Sequence, residues 1–222
     1  MDTIPMTKTV DYEENYHSTR HNNHENDDYY QARAQVALRK FFSGVGKNER
    51  LLDYGCGLGQ NILYQPNAVG FDISKYGVDF CRSKGIQATN SLEDLEDESF
   101  DVVFSAHVLE HHPHPKTMLE DMRSKLKTGK RLILVIPYER HMKKGKFELD
   151  LNQHLYCWNF QAINNLLLTT GFKIEENRYI RGAGYHKLLG LNKINSGLYW
   201  HATNTVSRVA GIKEMMIIAT KQ

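Results

Sequence analysis

The sequence predicts a doubly wound α/β fold on three observations. Short apolar runs alternate with helical patterns from residue 50 to residue 136, one of those runs feeds a glycine-rich loop, and the 222 residues suit one full α/β domain. Such alternation specifies right-handed β-α-β crossovers, and hence a largely parallel sheet covered by helices on both faces.

Residues 17–28, HSTRHNNHENDD, contain no large apolar side chain. They cannot bury enough surface to offset their ordering entropy unless they dock on something, so residues 1–28 are expected to form a polar lid or tail. From Tyr29 to Phe42 the residues Tyr30, Ala34, Ala37, Leu38, Phe41 and Phe42 fall near helical spacing, and Ser43-Gly44 is a stop. A strand is predicted at Arg50 to Tyr54, a short helix after Gly59, a strand at Ala68 to Asp72 and a helix from Lys75 to Lys84. A weak strand at Ile86 to Thr89, a strand at Phe100 to Ser105, a helix around Pro115 to Leu126 and a strand at Arg131 to Ile136 complete the series. After Pro137 the pattern gives a loop through residue 153, a helix from Asn159 to Thr170 stopped by Gly171, a strand from Phe172 to Ile180 and a final strand from Glu214 to Thr220. About 30 residues separate the last two strands, and they include Leu188, Leu189, Leu191, Leu198, Tyr199, Trp200 and Val206; a connection this long is predicted to hold helical turns. The main domain is thus placed at 29–222, with an insert at 182–212.

Composition excludes several classes. A hydrophobic fraction of 41% and a charged fraction of 24% are ordinary for a globular chain. The mean hydropathy of -0.54 reflects polar Asn, His, Lys and Gln rather than a missing core. A net charge of +2 gives no field of the kind nucleic-acid binders use, so no nucleic-acid partner is expected. The basic run from His141 to Lys146 reads as a solvated loop. Cys56, Cys81 and Cys157 have no CxxC spacing, which fits reduced cytoplasm. No stretch approaches the roughly 18 apolar residues of a membrane span, and the N-terminus has no signal-peptide pattern, so no membrane partner is expected either.

The chemistry concentrates in Leu51-Leu52-Asp53-Tyr54-Gly55-Cys56-Gly57-Leu58-Gly59, where three glycines at alternate positions join a strand to a predicted helix start. Glycine allows the tight turn and a close ligand approach, and a helix N-terminus offers free N–H groups. A dinucleotide fold prefers G-x-G-x-x-G, with the third glycine one place beyond Gly59. The G-x-G-x-G spacing after acidic Asp53 resembles motif I of the class I S-adenosylmethionine-dependent methyltransferases. The resemblance continues in order. Val69 to Ser74 is similar to the motif whose carboxylate takes both ribose hydroxyls, Asn90 to Leu95 to the segment flanking adenine, and Ser99 to Val103 to the strand beside it. His107-Val108-Leu109-Glu110-His111 looks like the "LEH" signature, Leu126 to Leu134 like the "LkpGG" turn and strand, and His154 to Trp158 with Leu166 to Phe172 like the late "H-x-x-x-W" and "LL-x-x-x-GF" pattern. Two departures are Pro66, which shortens the first helix, and Thr128-Gly129-Lys130, which lacks the usual second glycine.

This resemblance implies a Rossmann-like fold with a mainly parallel seven-stranded sheet and an antiparallel final strand. It also implies S-adenosylmethionine as cofactor, and as partner a small-molecule acceptor methylated on oxygen or nitrogen. The implied cofactor-binding residues are Asp53, Tyr54, Gly55, Cys56, Gly57, Asn61, Asp72, Ile73, Ser91, Leu92, Ser105 and His107. Methyl transfer is an in-line displacement at a sulfonium carbon, so the protein mainly aligns the groups and excludes water. Tyr54, or Tyr12 or Tyr16 of the lid, would favour the cationic cofactor over its neutral product through a ring face, unless these tyrosines only pack. An oxygen acceptor benefits from a general base near neutral pH. The candidate catalytic residues are therefore His154, before the helix starting near Asn159, and His107, at the carboxyl end of the fourth strand. His107, His111, His112, His114 and Glu110 are metal-ligand types, but Pro113 and Pro115 break the helix that would group them, and the family carries a similar turn without metal; no metal is expected. The insert is expected to cover part of the acceptor pocket. An alternative function is a catalytically silent cofactor-binding subunit that acts through protein contacts, with the apolar stretch 186–206 as its interface. The oligomeric state is left open.

Overall fold

The structure, a computed structural model, describes residues 26–138, 153–181 and 186–222. Residues 1–25, which include Tyr12 and Tyr16, and the basic run 141–146 lie outside the described residues. Helix α1 (Asp27–Phe41) precedes strands β1 (Leu51–Tyr54) and β2 (Ala68–Phe71), helix α2 (Lys75–Ser83) and strands β3 (Gln87–Thr89) and β4 (Phe100–Ala106). Helix α3 (Pro115–Lys125), strand β5 (Leu126–Pro137), helix α4 (Phe160–Thr169), strand β6 (Phe172–Ile180), helices α5 (Leu189–Ile194) and α6 (Ser196–Val209), and strand β7 (Glu214–Lys221) follow. They build a seven-stranded sheet in the order β3-β2-β1-β4-β5-β7-β6. Strands β1 to β5 pair in parallel, and β7 runs antiparallel to both β5 and β6. The order reverses between β1 and β4, which is where open α/β sheets bind ligands.

Alternation along the central strands gives the sheet two apolar faces. Leu52, Val103, Leu132, Leu134 and Ile217 pack on one side with Met118, Leu119 and Met122 of α3 and Ile163 and Leu167 of α4. Leu51, Val102, Phe104, Ile133 and Met216 pack on the other with Phe42 after α1 and Cys81 of α2. The ends of the helices follow local chemistry. Asn26, Ser74 and Asn159 each accept a backbone N–H from the first turn of α1, α2 and α4, and Pro115 opens α3.

Two elements differ from the sequence reading. No helix follows Gly59; Gly59, Ile62 and Gln65 instead donate to the carbonyls of Cys56, Gly59 and Ile62, a chain of tight turns. Only six residues separate Gly59 from Pro66, which has no N–H to continue a helix and disfavours helical geometry just before it. Strand β5 also begins at Leu126 rather than Arg131. Leu126 pairs with Phe100, the register shifts, and pairing resumes at Arg131 with Val102; Gly129 within the excursion has φ +75°. The insert is helical as expected, with α5 and α6 packed on α1. Tyr199 joins Ala32 and Val36 in a small core, Arg39 donates to the Ser196 carbonyl and hydroxyl, and Lys193 pairs with Asp28. Among the described residues no helix is long and apolar enough to cross a membrane.

Candidate cofactor and acceptor site

The glycine loop leaves β1 at the carboxyl edge of the sheet with left-handed backbone at Gly55, Gly57 and Gly59. At Gly55 a Cβ would lie 2.3 Å from Val108 Cγ2, and at Gly59 it would lie 2.8 Å from both Cys81 Sγ and Ile86 Cδ1. The turn after β4 and helix α2 are therefore pressed against the loop, and both the conformation and the space there require glycine. The N–H groups of its three glycines and of Cys56 are spent within the protein. Gly55 and Cys56 donate to the Phe71 carbonyl, Gly59 to Cys56, and Gly57 to Asp72 Oδ2 at 2.7 Å. The expectation of free helix N-terminal donors is thus corrected, because the helix that would supply them does not form.

Asp72 follows β2, and its other carboxylate oxygen accepts the Ser74 N–H at 2.9 Å, so two backbone donors fix its plane. Ile73 beside it is 66% exposed, an apolar face presented at a ligand-binding edge. Ser91 and Leu92 are half-buried on the neighbouring loop, where Ser91 caps the Glu93 N–H and takes its own N–H bond to Thr89 Oγ1. Asp94 accepts the Thr89 hydroxyl and braces this loop; the sequence reading had not singled out either residue. Asp53 is fully buried, among the described residues neither of its carboxylate oxygens has a hydrogen-bond partner, and burial, reinforced by Asp72, pushes its carboxyl well above the usual range. An orphaned buried acid directly behind a glycine cradle fits a cofactor that carries an ammonium group.

Other candidates have structural partners. The Tyr54 ring packs on Phe71 at 4.9 Å and its hydroxyl faces Asp121 of α3, a core position. Ser105 is buried and donates to the Tyr54 carbonyl, pinning the end of β4 to the end of β1. Cys56 is buried beneath Gly70, with its thiol pushed up chiefly by its contact with Cys81 and by burial. Asn61 lies half-buried in the turns after Gly59. From α1, the Tyr30 hydroxyl donates to the Leu58 carbonyl at 2.7 Å, which ties the helix to the glycine loop.

A line of charged groups runs along the same edge. His107 has left-handed backbone, φ +59°, immediately after β4, an uncommon state for a residue with a Cβ that recurs at functional sites. Its Nε2 lies 2.7 Å from Glu214 Oε1, its Nδ1 lies 3.6 Å from Glu110 Oε1, and its side chain is 43% exposed. Burial works to lower its pKa, but Glu110 and Glu214 outweigh it and raise it to about 9. Glu214 feels burial upward and the cations His107 and Lys40 downward, and settles at about 2. Buried Lys40 of α1 pairs with it from the other side. Glu110 is fully buried, and its carbonyl accepts the N–H of Leu155 at 2.8 Å and of Tyr156 at 3.3 Å. These bonds bring His154 beside His111, with ring centroids 4.8 Å apart. His111 is pulled down, chiefly by burial. Sequence reasoning missed Lys40 and Glu214, because the nearest of their partners is 107 residues away along the chain.

A seven-stranded sheet in this order, with a glycine loop at its switch point and an acid after β2, defines the class I S-adenosylmethionine-dependent methyltransferases. A family model described as a methyltransferase domain matches residues 23–177, and the chain belongs to that family. S-adenosylmethionine is its cofactor. The uncharacterized protein MJ1123 of Methanocaldococcus jannaschii is 31% identical over 161 residues, which cover 67% of this chain and 74% of that one. Solved structures share the fold. A methyltransferase in complex with the Haloferax volcanii Trm112 methyltransferase activator aligns with TM-score 0.64 and 15% identity, over 96% of this chain and 99% of that one. Haemonchus contortus phosphoethanolamine N-methyltransferase 2, with S-adenosyl-L-methionine, aligns with TM-score 0.61 and 17% identity, over 96% of this chain and 60% of that one. The [4+2]-cyclase SpnF aligns with TM-score 0.58 and 18% identity, over 86% and 80% of the two chains, so the fold by itself does not fix the reaction.

Proposed function

We propose that the chain transfers the methyl group of S-adenosylmethionine to an oxygen or nitrogen of a small-molecule acceptor. The observation that carries this reading is the contact of Val108 with Gly55, which sets the His107 to His111 turn, with its proton-handling groups, directly against the cofactor loop. In this reading Asp72 takes the ribose hydroxyls, Ile73, Ser91 and Leu92 flank the adenine, and buried Asp53 favours the ammonium end. Gly55, Cys56, Gly57, Asn61, Tyr54 and Ser105 shape that end, the last two through the Ser105 bond to the Tyr54 carbonyl. The cofactor supplies the electrophilic methyl; the chain aligns the acceptor, excludes water and handles the acceptor proton.

His107 and His154 are the candidates for that proton. With Nε2 on Glu214 and Nδ1 facing Glu110, His107 is held as a cation with both ring nitrogens turned to carboxylates, which leaves His154 as the base. The segment that precedes α1 is proposed as a cover, because the chain enters that helix beside the glycine loop at Tyr30, while Asp27 and Asp28 of the expected 1–28 segment belong to α1. Incubating the protein with methyl-labelled cofactor and pooled small acceptors should transfer label to one acceptor class. His154→Ala should lower turnover about 100-fold or more for a hydroxyl acceptor and leave cofactor affinity within about twofold. Full turnover with an unchanged pH–rate profile would remove His154 from the chemistry.

A second reading, a cofactor-binding subunit that acts through a partner, is favoured by the apolar side chains Ile194, Leu198 and Val209 exposed on and beside the insert helices. It predicts a stable assembly by size-exclusion chromatography and no labelled product.

A further inference from the structure

Glu110, His111 and His154 stand together although 42 residues separate the last two along the chain. One ligand-type atom from each lies within 4.8 Å of the other two. Glu110 has no solvent exposure, and among the described residues neither of its carboxylate oxygens accepts a hydrogen bond. A buried carboxylate without donors is costly, and a bound cation is one group that completes it. His107 Nδ1 at 3.6 Å and His111 Nε2 at 3.9 Å are the ionic neighbours of Glu110 Oε1, and both are beyond hydrogen-bond reach.

The arrangement is also held in place before any ligand arrives. The Leu155 and Tyr156 N–H groups close on the Glu110 carbonyl, and the Tyr156 hydroxyl donates to the Pro113 carbonyl at 3.1 Å. Two segments distant in sequence are thereby stapled across the histidines. Gln153, beside His154, has left-handed backbone with φ +50°, as His107 does on the other flank. Left-handed backbone at non-glycine residues thus flanks the cluster on both sides, a conformation that recurs at functional sites.

We propose that Glu110, His111 and His154 form a divalent transition-metal site on the acceptor side of the cofactor loop. Two imidazoles and one carboxylate suit first-row ions such as zinc, manganese, iron or cobalt better than magnesium, which prefers oxygen ligands. Ligand bonds of about 2.1 Å put neighbouring donor atoms about 3 to 3.5 Å apart, so binding draws the three side chains together by about an ångström. Three protein ligands leave positions open for an acceptor oxygen or nitrogen, whose proton the ion then makes easier to lose. Occupancy turns His154 from a base into a ligand and leaves His107 bonded to Glu214, with Glu110 shared between His107 and the ion. Ion binding stands on these contacts alone, and the ion's effect on an acceptor rests on the methyl-transfer reading.

The test is a titration of the chelator-stripped full-length chain with cobalt(II) alone, followed by visible absorption, with S-adenosylhomocysteine binding measured in parallel. The expected result is saturable binding with one ion per chain, weakened about 10-fold or more by His154→Ala and by Glu110→Gln, with S-adenosylhomocysteine affinity unchanged in both. His154→Ala removes a loop side chain, and retained product binding certifies its fold. No saturable binding overturns the proposal. So does binding that survives both substitutions. Saturable cobalt binding together with no labelled product from the pooled acceptors would sink the function above and leave the metal site standing.

Discussion

At the scale of single residues, the ion pairs around Glu214 have a defined pH signature. His107 is raised from the ordinary 6.5 to about 9. A base raised on folding contributes stability in full below about pH 6.5 and loses it as pH climbs through 9. Glu214 is lowered from 4.5 to about 2, so its contribution is complete above about pH 4.5 and lost as pH falls towards 2. Stability from the pair is therefore fullest between those limits. Glu214→Gln should bring the His107 titration down from about 9, read by nuclear magnetic resonance of the imidazole, and flatten the alkaline fall in stability. An unchanged His107 titration would assign its shift to Glu110. Asp72 has an equally local role. Asp72→Ala removes the acceptor for the Gly57 N–H as well as a ribose partner, and should weaken S-adenosylhomocysteine by about 1.5 to 3 kcal/mol in calorimetry.

At the scale of elements, the glycine loop is held between α2 and the turn after β4, with no helix of its own behind it. Gly55→Ala would combine a φ of +81° with a Cβ 2.3 Å from a Val108 methyl. Val108 is branched at its own Cβ and sits in a short turn, so it has little room to yield. A loss of about 2 to 4 kcal/mol in denaturant stability is expected, together with weakened cofactor binding. A near-neutral result would mean that the 107–111 turn moves freely, which would also undercut the acceptor site built on it. Helix α1 is coupled to the same edge by Tyr30 on Leu58 and Lys40 on Glu214, so the element that begins beside the proposed cover is part of the site's frame.

At the scale of the whole molecule, cofactor binding and folding are linked, because the loop, Asp72 and the Ser91 region converge only in the folded sheet. S-adenosylhomocysteine at about 100 times its dissociation constant should stabilise the chain by about 2.7 kcal/mol, visible as a rise in Tm, and NAD should give none. A rise with NAD would contradict the reading of the glycine spacing.

The sequence alone determined the succession of strands, most of the helices, the glycine loop and the acid after β2. These are local: periodicity, turn residues and motif spacing lie within a few residues of one another, whereas the antiparallel last strand came from the family resemblance. It misplaced the helix after Gly59, where the single ring of Pro66 outweighed the family pattern, and the start of β5, where pairing with Phe100 recruited Leu126 across a bulge. Only the tertiary structure decided that Tyr54 and Ser105 bind other parts of the fold, that Lys40 and Glu214 set the charge of His107, and that His154 meets Glu110 and His111. Those facts depend on backbone bonds and buried charges between segments tens to more than a hundred residues apart, and burial sets both the strength of a charge and the cost of an orphaned one.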